Sequence, residues 1–152
     1  MNTNPKIAVF GGGSWATAIV KMLSENLEQV GWYMRSQSAI DYIKENDHNP
    51  NYISSATFNV SQLFLSSDIN EMVKYADILI FSIPSAFVKV ELDNITEDYT
   101  SKIVFSAIKG IIPESGLIVG EHFNKVLNVP IENIGVITGP CHAEEVAMER
   151  LS

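Results

Sequence analysis

The sequence predicts an α/β fold: a doubly wound, mainly parallel sheet with helices on both faces. Two observations carry this. Short β-rich runs alternate with amphipathic stretches from one end of the chain to the other, and several of the runs are almost continuously apolar, as in strands covered on both faces. The expected strands are Lys6–Phe10, Gln29–Met34, Leu63–Ser66, Ile78–Ile83, Lys102–Ile108 and Ile134–Thr138. The expected helices are Trp15–Asn26, Ser38–Asn46, Asp68–Tyr75, Ser85–Leu92, Ser115–Leu127 and His142–Leu151. Asp68 followed by Glu71 reads as a capping box at the start of the third helix. Strand, helix and strand in repetition give right-handed βαβ units.

The chain of 152 residues is long enough for one domain, with 46% hydrophobic and 18% charged residues. Its formal net charge of -8 argues against a nucleic-acid partner, which requires a basic face. Placed cations and backbone N–H groups can still hold a small phosphate ligand. The single cysteine, Cys141, leans towards a reducing, cytoplasmic setting. The apolar runs, such as Ile78–Phe81, are far too short for membrane insertion. The Cys and His residues lack metal-ligand spacing, so no metal site is expected.

The strongest local signal is the run from Ile7 to Ala18, in which Gly11, Gly13 and Ala16 take the small positions of the dinucleotide pattern G-x-G-x-x-G/A. Gly11 allows the tight turn out of the strand. Gly13 lets the backbone approach a pyrophosphate, and Ala16 lets the helix pack closely on the sheet. The helix start then offers free N–H groups to the phosphates. A strand before and a helix after the turn make this a Rossmann-type site rather than a P-loop, since no Gly-Lys-Ser/Thr follows.

The end of the second strand reads Trp32-Tyr33-Met34-Arg35-Ser36, with no carboxylate to accept from a ribose 2′-OH. Arg35 suits a 2′-phosphate, so NADP(H) is favoured and NAD(H) tolerated. The turn Ser82-Ile83-Pro84-Ser85 and the pair Lys109-Gly110 fall at the same carboxyl edge of the sheet, where ligands bind. So does the run from Thr138 to Ala143, whose N–H groups could cap an anion. Cys141 and His142 are adjacent, but neighbouring side chains in an extended turn point apart, which argues against thiol catalysis. His48 and His122 show no evident partners and read as surface residues, and Asn49–Ile53 reads as a loop.

Together these motifs resemble the bacterial NAD(P)-dependent sn-glycerol-3-phosphate dehydrogenases. The run from Gly11 to Ala18 looks like that family's Gly-x-Gly-Ser-Trp-Gly-Thr-Ala signature, with Ala16 in place of the commoner glycine. The Trp-x-x-Arg run ending at Arg35, the Asn-x-x-Tyr-Ile/Leu loop ending at Ile53, Pro84-Ser85, Lys109-Gly110 and Gly139-Pro140 follow in the family's order. The resemblance implies that Ser14, Trp15, Arg35, Lys109 and Ala143 contact the cofactor. It implies that Lys109, Gly139 and Cys141 touch a small phosphate substrate, glycerol phosphate or dihydroxyacetone phosphate. Cys141-His142 stands where many members have Ser-Phe. The family's helical C-terminal domain, with its general acid/base lysine, is expected outside residues 1–152, so no catalytic residue is assigned to this chain. The chain alone is expected to bind cofactor without turnover, and the full-length enzyme could be a homodimer. Two alternatives remain at this point: a ketopantoate-type two-domain reductase and a non-catalytic NADPH-sensing module.

Overall fold

The computed structural model describes residues 4–138 and 142–148. Six strands form one sheet: β1 (Ile7–Phe10), β2 (Val30–Tyr33), β3 (Leu63–Ser66), β4 (Ile78–Phe81), β5 (Ile103–Ser106) and β6 (Ile134–Val136). All neighbouring pairs are parallel, in the order β3-β2-β1-β4-β5-β6. That is the order of the doubly wound dinucleotide fold, with its switch point between β1 and β4. The observed strands stop one to two residues short of several expected ends, because the chain stays extended beyond its last ladder partner.

Alternation along the strands sends side chains to two separate cores. Ala8, Phe10, Tyr33, Leu79, Phe81 and Val104 face one side. There they pack on α3 (Ile69–Tyr75), α4 (Ser85–Asp93) and α5 (Val119–Lys125). Val9, Val30, Trp32 and Ile80 face the other, against α1 (Ser14–Ser24) and α2 (Gln37–Asn46). A short α6 (Ala143–Ala147) returns to α1, where Ala18, Ala56 and Ala147 form a small apolar contact flanked by Trp15 and Ala143.

Three local expectations need correction. The box at α3 is only half of the expected kind. Asp68 Oδ1 accepts from Asn70 N and Glu71 N, but Ser66 Oγ accepts from Asp68 N at 3.0 Å and donates to Glu71, standing where the reciprocal bond would be. The fifth helix begins at Val119 rather than Ser115, because Gly116 adopts φ +66° and Ile111 bridges Ile118 ahead of it. Finally, His48 and His122 are not bare surface groups. His122 shares a helix face with Val119 and Phe123, is 4% exposed, and lies 3.3 Å from Ser115 Oγ. His48 is half-buried, with its ring on Asn46 O at 2.7 Å and on the Tyr42 hydroxyl at 3.3 Å.

Candidate functional site

The glycine turn leaves β1 at the switch point, and its conformation is set from three sides. Gly11 has φ +136°, and a Cβ there would meet Ser82 O, at the end of β4, at 2.3 Å. Both the backbone angle and the neighbouring strand therefore require glycine. Gly11 N donates to Tyr33 O at 3.1 Å, tying the turn to β2.

Each carbonyl of the turn is drawn inward. The Trp32 indole N–H donates to Gly11 O at 2.7 Å in a buried bond. Asn49 Nδ2 donates to Gly12 O at 3.2 Å and to Thr17 Oγ1 at 2.9 Å. Thr17 Oγ1 donates to Gly13 O at 2.9 Å. With the three carbonyls of the turn engaged, no side chain caps α1 at Gly13, so the first N–H groups of this helix have no side-chain acceptor at the cap. A Cβ at Gly13 would meet nothing within 4 Å of the protein. Sterics inside the chain do not explain that glycine; an open cradle in front of a helix start suits a pyrophosphate.

Sequence reasoning missed Trp32 and Asn49. Asn49 is fully buried, and its Oδ1 also accepts from Asn51 N at 3.0 Å, so one side chain braces both its own loop and the glycine turn. The signal was the family-like Asn-x-x-Tyr run, which alone gives no hint of a partner 37 residues away.

Two adjoining clefts meet at Gly13, Ile83 and Pro84. The larger, of about 530 Å3, is lined by Gly13, Ser14, Trp15, Pro84, Lys109 and Ala143 among others. The smaller, of about 340 Å3, gathers Gly11, Gly13, Arg35, Tyr52, Phe87 and Glu91. Both volumes lie in the range of small-molecule sites. The expected residues thus fall into one continuous groove, except Ala16, which is fully buried beneath the turn among the α1 core residues. Lys109 and Pro84 are exposed at the rim. Gly139 and Cys141 lie outside the described residues.

Arg35 is accompanied by a carboxylate that its own strand does not carry. Glu91, from α4, lies 3.3 Å from the guanidinium and is itself 4% exposed. The Tyr33 hydroxyl donates to its other oxygen at 2.8 Å. Burial first, and then this bond to a carboxylate, push the Tyr33 phenol well above its ordinary pKa. The Arg35 guanidinium also stands 6.0 Å from the Phe87 ring centroid. Among the described residues no group of three or more His, Cys, Asp or Glu could hold a metal ion, and no helix is long and apolar enough to cross a membrane.

Comparison with known proteins finds relatives along nearly the whole chain. The chain is 32% identical over 148 residues to the glycerol-3-phosphate dehydrogenase [NAD(P)+] of Staphylococcus carnosus, and 30% identical over 152 residues to that of Pseudomonas syringae pv. tomato. These alignments cover 95% and 100% of this chain, and 44% of each relative, so the chain spans less than half the length of the curated relatives it matches. A solved glycerol-3-phosphate dehydrogenase from Plasmodium falciparum superposes on it with a TM-score of 0.81 at 24% identity, covering 96% of this chain and 43% of that one. It shares the fold. The profile of the NAD-dependent glycerol-3-phosphate dehydrogenase N-terminus matches residues 6–152. The chain therefore belongs to the NAD-dependent glycerol-3-phosphate dehydrogenase family, as its N-terminal, NAD(P)-binding part.

Proposed function

We propose that this chain is the cofactor platform of an enzyme that transfers a hydride between NAD(P)H and dihydroxyacetone phosphate, giving glycerol 3-phosphate for phospholipid synthesis. The observation that carries the reading is the glycine turn, with the Gly11, Gly12 and Gly13 carbonyls held by Trp32, Asn49 and Thr17 and the uncapped start of α1 lining the groove. Gly11, Gly13, Ser14 and Trp15 hold the pyrophosphate and the start of the nicotinamide half, with Ala16 packing beneath. Arg35 takes a 2′-phosphate, which favours NADP(H) while leaving NAD(H) usable. Pro84 and Ala143 flank the nicotinamide, and Lys109 reaches from the end of β5 towards the substrate phosphate or carbonyl.

When bound, NAD(P)H supplies the hydride. This chain orients it; the proton donor and most of the phosphate grip belong to a further domain. Gly139 and Cys141 complete the substrate side of this reading. A cytoplasmic location and a homodimer of the whole enzyme go with it.

Calorimetric titration of the chain with NADPH and with NADH, beside Arg35→Ala, tests the proposal. Both cofactors are expected to bind the parent chain, with NADPH affinity dropping about tenfold or more in the variant. Turnover of dihydroxyacetone phosphate is expected only from a protein that carries the second domain. Failure of both cofactors to bind at millimolar concentration overturns the cofactor assignment.

A further inference from the structure

Glu91 occupies a position that stability alone does not account for. On α4 it sits between Val88 and Leu92 on the face turned to the core, where a carboxylate is expensive unless it is paired. Both its oxygens are engaged, one by the Tyr33 hydroxyl and one by Arg35. The two partners differ sharply in exposure: the Arg35 side chain is 73% exposed and the Glu91 side chain 5%. The pair therefore joins a buried anion to a cation exposed in the smaller cleft, beside Tyr52 and Phe87.

We propose that Glu91 is a specificity-determining residue for the nucleotide's 2′ position, acting through Arg35; the inference rests on the cofactor reading above. A 2′-phosphate that bonds to Arg35 must share the guanidinium with Glu91 and comes within about one guanidinium width of its charge. A 2′-hydroxyl carries no charge and meets no such opposition. Arg35 thus supplies the attraction that admits NADP(H), and Glu91 sets how far that attraction exceeds what NAD(H) receives. The carboxylate comes from the helix after β4 rather than from the end of β2, where an NAD-selective acid usually stands. One and the same cation can then serve both cofactors.

The test is calorimetric titration of the 152-residue chain and its Glu91→Gln and Glu91→Leu variants with NADPH and NADH. Glutamine keeps an acceptor for the Tyr33 hydroxyl and removes the charge. Leucine removes both at similar volume, and serves if the glutamine variant fails to fold. In the folded variants the ratio of the NADH to the NADPH dissociation constant is expected to rise about tenfold. The same substitution in an Arg35→Ala background is expected to move that ratio much less, which a merely structural role for Glu91 would not produce. An unchanged ratio in a folded variant that binds both nucleotides overturns the role of Glu91 and leaves the cofactor site standing. Loss of all binding in the parent chain overturns the cofactor reading itself.

Discussion

The Trp32 indole does at one atom what the sequence pattern cannot express. Its ring is fully buried on the α1 and α2 side of the sheet, and its N–H reaches past the end of β2 to Gly11 O. Trp32→Phe leaves that carbonyl buried and unmet, and is expected to lower unfolding free energy by about 1–3 kcal/mol, read by urea denaturation. The same change is expected to weaken NADPH binding, because the turn loses a bond that fixes its conformation. A variant with unchanged stability and affinity would show that the bond has no such role. The pattern of small residues at Gly11, Gly13 and Ala16 is local in sequence and could be read from the chain, although the wall that requires glycine at position 11 is Ser82 O, from a distant strand. Trp32, Asn49 and Glu91 were not: their partners lie 21, 37 and 56 residues away. Arg35 was found as a cation, but its carboxylate companion was hidden in a different helix.

At the scale of single elements, α5 shows how burial tunes a titrating group. His122 lies on the inward face of this helix, and burial first, then the nearby Lys89, hold its pKa below the ordinary 6.5. Asp93 and Glu114 oppose the shift. The unfolded chain therefore binds a proton at a pH where the folded protein does not, so stability falls as the pH drops below about 6.5. Thermal melts between about pH 7.5 and about 5.5 should show this loss, and His122→Gln should flatten it. An equal slope in the variant would place the proton uptake elsewhere. Among the described residues the six strands and six α-helices were anticipated in kind and order, since apolar runs and helical periodicity are local signals, whereas the short 3-10 turns at Val60–Gln62 and Ile131–Asn133 were not. Their ends were less legible. Whether Gly116 takes a positive φ and delays α5, or Ser66 intrudes into the α3 cap, depends on neighbours that the linear pattern does not display.

For the whole molecule, the strand order decides where the groove lies. β1 pairs with β2 on one side and β4 on the other, with Ile7 opposite Ile78, so the glycine turn stands between two halves wound in opposite directions. The smaller cleft draws on both halves, Arg35 from one and Phe87 and Glu91 from the other. The larger adds Lys109 beyond β5 and Ala143 from α6. No single βαβ unit lines both clefts, so their lining residues are spread along the chain from Gly11 to Glu144.

The contact of Gly11 with Ser82 has a consequence during synthesis. The turn is made early and its second wall late, so a nascent chain carries an exposed glycine turn for several seconds at about 5–20 residues per second. Until Ser82 emerges, nothing stands against Gly11 on the β4 side. Ribosome-bound chains should accordingly acquire cofactor affinity abruptly, once the residues through Ala143 have cleared the exit tunnel, and not gradually with length.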